Sequence, residues 1–129
     1  MRLLLDTHVL LWWLNDSPRL RMRARSVIAD PSATVLVSVA SGWELSIKHR
    51  LGKSVDLGSS VLREAAEHGF QVIGITEQHL ATLEGLPKVE GHGDPFDLLL
   101  LAQASVERAA LMTADRMMPA YGVRCVGIG

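Results

Sequence analysis

An α/β fold, one domain with a mainly parallel central sheet flanked by helices, is what this sequence predicts, and three features predict it. Strand-like and helix-like runs alternate from end to end, the pattern of a sheet whose crossovers are helices. The strand-like runs are short, apolar and mostly free of polar alternation, as required when helices cover both sheet faces. No repeat, low-complexity segment or dividing linker interrupts the 129 residues. That length suits a single domain, 1–129, able to bury a core without disulfides or structural zinc.

The first strand is expected at Arg2–Leu5, where Leu3-Leu4-Leu5 runs into Asp6. A helix over Thr7–Asn15 follows, with Asp6 as a favoured N-cap. Pro18 marks the start of a second helix, Arg19–Ala29. Strand Thr34–Ser38 feeds helix Ala40–Leu51, which Gly52 ends. Helix Ser60–His68 stops at Gly69, and strand Gln71–Ile75 leads to helix Glu77–Glu84. Residues 86–93 carry Pro87, Gly91 and Gly93 and read as a loop. Asp94 and Pro95 then open helix Pro95–Arg108 as N-cap and N1 residue. Strands Ala110–Thr113 and Arg124–Ile128 complete the chain.

Composition narrows the function classes. A formal net charge of −1 argues neither for nor against a nucleic-acid partner. Two basic clusters stand out, Arg19, Arg21, Arg23 and Arg25, and Lys48, His49, Arg50 and Lys53. They suit either solvated helix faces or phosphate contacts, and Arg23 and Lys48 are retained as candidate substrate contacts. Cys125 is the sole cysteine, so no intrachain disulfide or cysteine zinc motif is available, and a buried apolar thiol is expected. The apolar run before Asp6 is too short for a signal peptide. The longest apolar runs fall well short of the ~20 residues that span a bilayer. A soluble cytoplasmic protein is expected.

Four carboxylates carry the chemical signal. Asp6 closes the first strand and Asp115 the run ending at Thr113. If those strands are parallel neighbours, both acids emerge at the edge where open α/β sheets bind ligands. Glu44 pairs by spacing with Lys48, yet shares a side with the stripe Trp43, Ile47 and Leu51. Asp97 precedes Leu100, Leu101 and Ala104 on the face its helix should bury, where an acid needs a partner. Taken singly, each acid is a cap, turn or surface residue. Converging together, they repel unless protonated or holding cations, so a magnesium or manganese site is expected. The histidines, His8, His49, His68, His79 and His92, show no zinc-like spacing and read as surface or capping residues; His92, alone close to the acids in sequence, also has substrate contact open to it.

The segments Leu4-Leu5-Asp6-Thr7-His8-Val9-Leu10-Leu11-Trp12, Ser38-Val39-Ala40-Ser41-Gly42-Trp43-Glu44-Leu45-Ser46-Ile47-Lys48, His92-Gly93-Asp94-Pro95-Phe96-Asp97 and Leu111-Met112-Thr113-Ala114-Asp115 resemble, in order, the motifs of PIN-domain ribonucleases of the VapC toxin type. The resemblance runs over nearly the whole chain. It implies a magnesium- or manganese-dependent endoribonuclease, a homodimer, and a small cognate antitoxin that blocks the site. Its metal-site acids correspond to Asp6, Glu44, Asp97 and Asp115, with Asp94 opening the helix and Thr113, a further candidate substrate contact, at a hydroxyl position beside the site. Leu98 departs from the pattern, which usually has a basic residue there, and the loop before His92 looks longer.

Metal-assisted hydrolysis of RNA phosphodiesters is therefore the expected activity, leaving 3′-hydroxyl and 5′-phosphate ends. Asp6 and Asp97 are expected as principal ligands, Asp115 as ligand to a second or weaker ion, and Glu44 as ligand or water orienter. A phosphatase using Asp6 as nucleophile would need an acid two residues on, where His8 stands. A catalytically inactive module binding RNA or protein is the alternative, disfavoured because a dead site gains nothing from four repelling charges.

Overall fold

The computed structural model of the protein describes residues 1–128, so Gly129, the last residue of the expected 1–129 domain, lies outside the described residues. Five parallel strands form one sheet in the order β3-β2-β1-β4-β5: β1 Arg2–Leu5, β2 Thr34–Ser38, β3 Gln71–Ile73, β4 Ala110–Met112 and β5 Cys125–Val126. Six helices flank them: α1 Thr7–Leu14, α2 Met22–Ala29, α3 Val39–Arg50, α4 Gly58–Glu67, α5 Glu77–Glu84 and α6 Pro95–Val106. The predicted doubly covered parallel sheet is thus the observed one.

Side chains alternate across a strand, so β1 divides its leucines between two cores. Leu3 and Leu5 face a cluster with Val9 and Leu10 of α1, Ala24 and Ile28 of α2, and Val61 and Ala65 of α4. Leu4 faces the other side, with Leu100, Leu101 and Ala104 of α6 and Met118 and Tyr121. Burial on both faces explains why β1, β2 and β4 read as unbroken apolar runs.

Several boundaries differ from the sequence expectation. The second helix begins at Met22, not Arg19. Residues after Pro18 instead make a turn in which the Leu20 N–H donates to the Ser17 carbonyl, and Arg25 braces it through Ser17, Leu20 and Asp16. Strand β3, an edge strand paired only with β2, ends at Ile73, and Ile75 is left exposed. Strand β5 keeps only Cys125 and Val126 of the expected Arg124–Ile128. A short 3-10 turn, Met118–Tyr121, had no periodic signal, and it buries Met118 and Tyr121.

Helix α3 rotates differently from expectation. Its buried side is Ala40, Ser41, Gly42 and Leu45, while Trp43 and Leu51 are 54% and 62% exposed. Small residues make this possible: a Cβ on Gly58 would run into the Gly42 carbonyl, so α3 and α4 meet backbone to backbone. Residues Ala40 to Gly42, not the larger Trp43 and Leu51, therefore define the packed side of α3.

Candidate active site

Parallel strands bring their carboxyl ends to one edge, and the expected acids emerge there. Asp6 follows β1 directly and caps α1, one oxygen accepting from the Val9 N–H at 3.0 Å. Its other oxygen accepts from the Thr113 hydroxyl at 2.5 Å, across the β1–β4 pairing that sets Leu5 opposite Met112. Thr113 in turn accepts from the Asp115 N–H at 3.0 Å. One hydroxyl thus couples the two strand-end acids, and Thr113 stands beside the site as expected.

Glu44 points to the same edge although its helix is turned from the expected orientation. Its carboxylate is only 12% exposed and accepts from Thr7 Oγ1 at 2.8 Å and from Lys48 Nζ at 2.9 Å. The Thr7 hydroxyl also lies 2.9 Å from that of Ser41. Lys48 thus stands at the same edge, paired with Glu44 while its own side chain stays 39% exposed.

Asp94 is the cap and Asp97 the acid on the packed side of its helix, as the order Asp94-Pro95-Phe96-Asp97 implies. Asp94 accepts from the Asp97 N–H at 3.0 Å. The Asp97 side chain is 28% exposed and follows the same face as the buried Leu100, Leu101 and Ala104. Burial first, and the neighbouring Asp94 next, push its carboxyl up to about 6, against the opposing pull of His92; Asp6 and Glu44 add to the rise. The Asp6 carboxyl is likewise raised by burial, with the Thr113 and Val9 hydrogen bonds working the other way. At this edge the charged forms of Asp6 and Asp97 are thus disfavoured.

His92 belongs to this site, which corrects its reading as a surface or capping residue. Its imidazole is 7% exposed, with Nε2 at 3.1 Å from Asp115 Oδ2 and 3.4 Å from Asp97 Oδ2. Nδ1 lies 2.7 Å from the Tyr121 hydroxyl. Donor atoms of His92, Asp97 and Asp115 all fall within 4.8 Å of one another, a spacing that suits a cation. Asp6 and Glu44 line the same edge without joining that trio, each turned to its own hydroxyl partner. His79 is also buried, yet it does cap: it completes a capping box with Thr76 and pairs with Glu107 at 3.0 Å.

Beside Thr113 and Asp115 opens a cleft of about 630 Å³, walled also by Arg21, Arg116 and Val126. A smaller recess of about 280 Å³ continues past Val126 to Arg23. Among the described residues, Arg21, Arg23 and Arg116 form no ion pair and donate no side-chain hydrogen bond within the chain. Leu98 supplies no cation at its usually basic position; it packs with Leu86 and Val89 against the core that Tyr121 closes. Cys125 is half-buried rather than sequestered, its thiol raised first by burial and then by Asp115 and Asp6.

Comparison with known proteins agrees with this architecture. The PIN domain family model matches residues 3–123. Ribonuclease VapC22 of Mycobacterium tuberculosis (strain ATCC 25618 / H37Rv) is 34% identical over 120 residues, covering 92% of this chain and 90% of that protein. Among solved structures, VapBC2 from Rickettsia felis bound to a DNA fragment from their promoter aligns over 100% of both chains with a TM-score of 0.73 at 17% identity. DNA-bound VapBC from Salmonella typhimurium aligns over 100% of this chain and 99% of that one, with a TM-score of 0.64 at 16% identity. At those identities the two structures speak for the fold. The family match over nearly all of the chain, the VapC22 relationship and the acids at one sheet edge together place this protein in the PIN-domain family, with the VapC-type ribonucleases.

Proposed function

We propose that the chain is a divalent-metal-dependent endoribonuclease acting as the toxin of a toxin–antitoxin pair. The observation that carries this reading is the convergence of Asp6, Glu44, Asp97 and Asp115 at one sheet edge in a chain 34% identical to a VapC ribonuclease. The donor set fits a hard cation, being carboxylate oxygens, with the charges of Asp6 and Asp97 disfavoured as they stand. Asp97 and Asp115 would hold magnesium or manganese, with Asp6 as the third principal acid. When bound, such an ion neutralises the acids for an anionic substrate and makes water a stronger nucleophile.

The chain's own groups do the positioning. Thr113 and the Val9 N–H hold Asp6 in one rotamer, so its aim does not depend on the substrate. Glu44 has both oxygens engaged by Thr7 and Lys48, leaving a lone pair on each to align a water against the scissile phosphate. Arg21 and Arg116 offer guanidinium groups to phosphates in the adjacent cleft, with Arg23 further along it. RNA approaching the acids thus meets positive charge on the side where β4 and β5 end.

This reading places the protein in the cytoplasm; no helix among the described residues is long and apolar enough to cross a membrane. The remaining partners in this reading are a second copy of the chain and a small antitoxin. An antitoxin arginine entering among the acids would form charge-assisted bonds there and exclude cation and substrate together. Expressed alone, the protein should arrest growth of a bacterial host. Expressed with a cognate antitoxin, it should be harmless and copurify with it. Arrest that persists undiminished in Asp6→Asn would assign toxicity to binding rather than cleavage.

A further inference from the structure

We infer that His92 is a nitrogen ligand of the cation in this site and biases the site toward manganese over magnesium, with Tyr121 as the residue that aims it. The inference rests on the proposed metal-dependent reading and adds a residue that the carboxylate pattern does not contain.

A histidine buried among carboxylates has two roles open to it, counter-ion or ligand, and geometry separates them. A counter-ion needs only proximity. A ligand needs one ring nitrogen aimed at the site and the other engaged behind it, because a partner on the far nitrogen fixes ring plane and tautomer. His92 meets the stricter condition. Nε2 faces Asp115 Oδ2 at 3.1 Å and Asp97 Oδ2 at 3.4 Å, while Nδ1 meets the Tyr121 hydroxyl at 2.7 Å. With Nδ1 protonated and donating to Tyr121 Oη, Nε2 presents its lone pair toward the two carboxylates.

The backing is rigid. Tyr121 is 4% exposed and ends the short 3-10 turn, where Gly122 at φ +79° reverses the chain. Its ring stands edge-on to the imidazole with centroids 5.4 Å apart. The His92 backbone is tied as well, its N–H donating to the Val89 carbonyl at 3.1 Å. Gly91, at φ +78°, makes the tight turn that permits this. The long loop before α6 therefore delivers one side chain to a fixed place, between Asp97 of α6 and Asp115 beyond β4.

Ligand chemistry gives the consequence. Magnesium binds through oxygen and gives up water reluctantly, whereas imidazole favours transition metals. One nitrogen among carboxylate oxygens thus costs magnesium more than manganese. Removing the imidazole should weaken manganese binding and barely touch magnesium.

The test is titration calorimetry of the purified protein with manganese chloride and magnesium chloride, joined to pulsed paramagnetic resonance of the manganese-loaded protein. Wild type should bind manganese more tightly than magnesium and show nitrogen coupling to the ion. His92→Gln should lose the coupling and bind manganese at least about tenfold more weakly, with magnesium affinity within about threefold of wild type. Tyr121→Phe keeps the imidazole but frees its far nitrogen, and should weaken manganese binding by roughly 10-fold or more while retaining the coupling. Thermal melts of both variants report whether they fold, and nitrogen coupling in wild type alone decides the ligand question if they do not. Manganese bound without nitrogen coupling, or with equal affinity in a folded His92→Gln, overturns the inference and leaves His92 a counter-ion. Failure of wild type to bind either ion defeats the metal-dependent reading itself.

Discussion

Asp97→Asn lowers RNA cleavage by about 10³-fold or more, and Asp6→Asn does the same, whereas Asp94→Asn stays within a few-fold of wild type. Acids that share ions act as a unit, so losing one forfeits most of what all supply. Asp94 has another task. It accepts from the Asp97 N–H at the head of α6, and Asn caps a helix nearly as well as Asp. Rates on a mapped RNA substrate, measured for all three variants, settle the assignment. Equal losses at Asp94 and Asp97 would show that the wrong carboxylate of this pair had been placed in the site.

The metal-free protein should gain stability when one of its acids is neutralised. Asp97 titrates near 6 in the folded chain against 3.8 for an ordinary aspartate, so between those values the folded state holds more protons than the unfolded one. Stability therefore falls as pH rises through that window, and the penalty is complete above it. Asp97→Asn removes it. In chelator near pH 8 the variant should be more stable than wild type by about 2 kcal/mol, a rise of roughly 8 °C in melting temperature. Near pH 4 the two should coincide. Millimolar magnesium or manganese should raise the wild-type melt by binding the folded state selectively, and raise the variant less. A wild-type melt unmoved by metal, with Asp97→Asn no more stable than wild type at high pH, would mean that the acids do not strain the fold.

The sheet and its acidic edge were legible because they follow from short-range rules. Leu3-Leu4-Leu5 before Asp6, and Ala110 to Thr113 before Asp115, each join an apolar strand to an acid, and parallel pairing puts both acids at one edge. Asp94 and Asp97 were separable by capping position and by the apolar spacing of α6. The orientation of α3 was not legible, because apolar periodicity favoured Trp43, Ile47 and Leu51, while the packed side was chosen by the backbone contact of Gly42 with Gly58. The place of His92 among Asp97 and Asp115 was missed for a similar reason. Its partners Tyr121 and Asp115 lie 29 and 23 residues away, and Tyr121 sits on a turn with no periodic signal. Its nearness to Asp94 was the one available clue. Of the basic residues, Lys48 was legible in its pairing with Glu44, which follows from i,i+4 spacing.

The account's central claim is that this acidic edge cuts RNA with a divalent ion, and incubating total bacterial RNA with the purified protein tests it most directly. Three conditions suffice: magnesium or manganese with wild type, chelator with wild type, and either metal with Asp97→Asn, the new ends being identified by ligation that requires a 5′-phosphate. Discrete fragments bearing 5′-phosphates should appear in the first condition alone. Fragments of the same pattern in chelator or with Asp97→Asn, or none with wild type in either metal, would contradict the account.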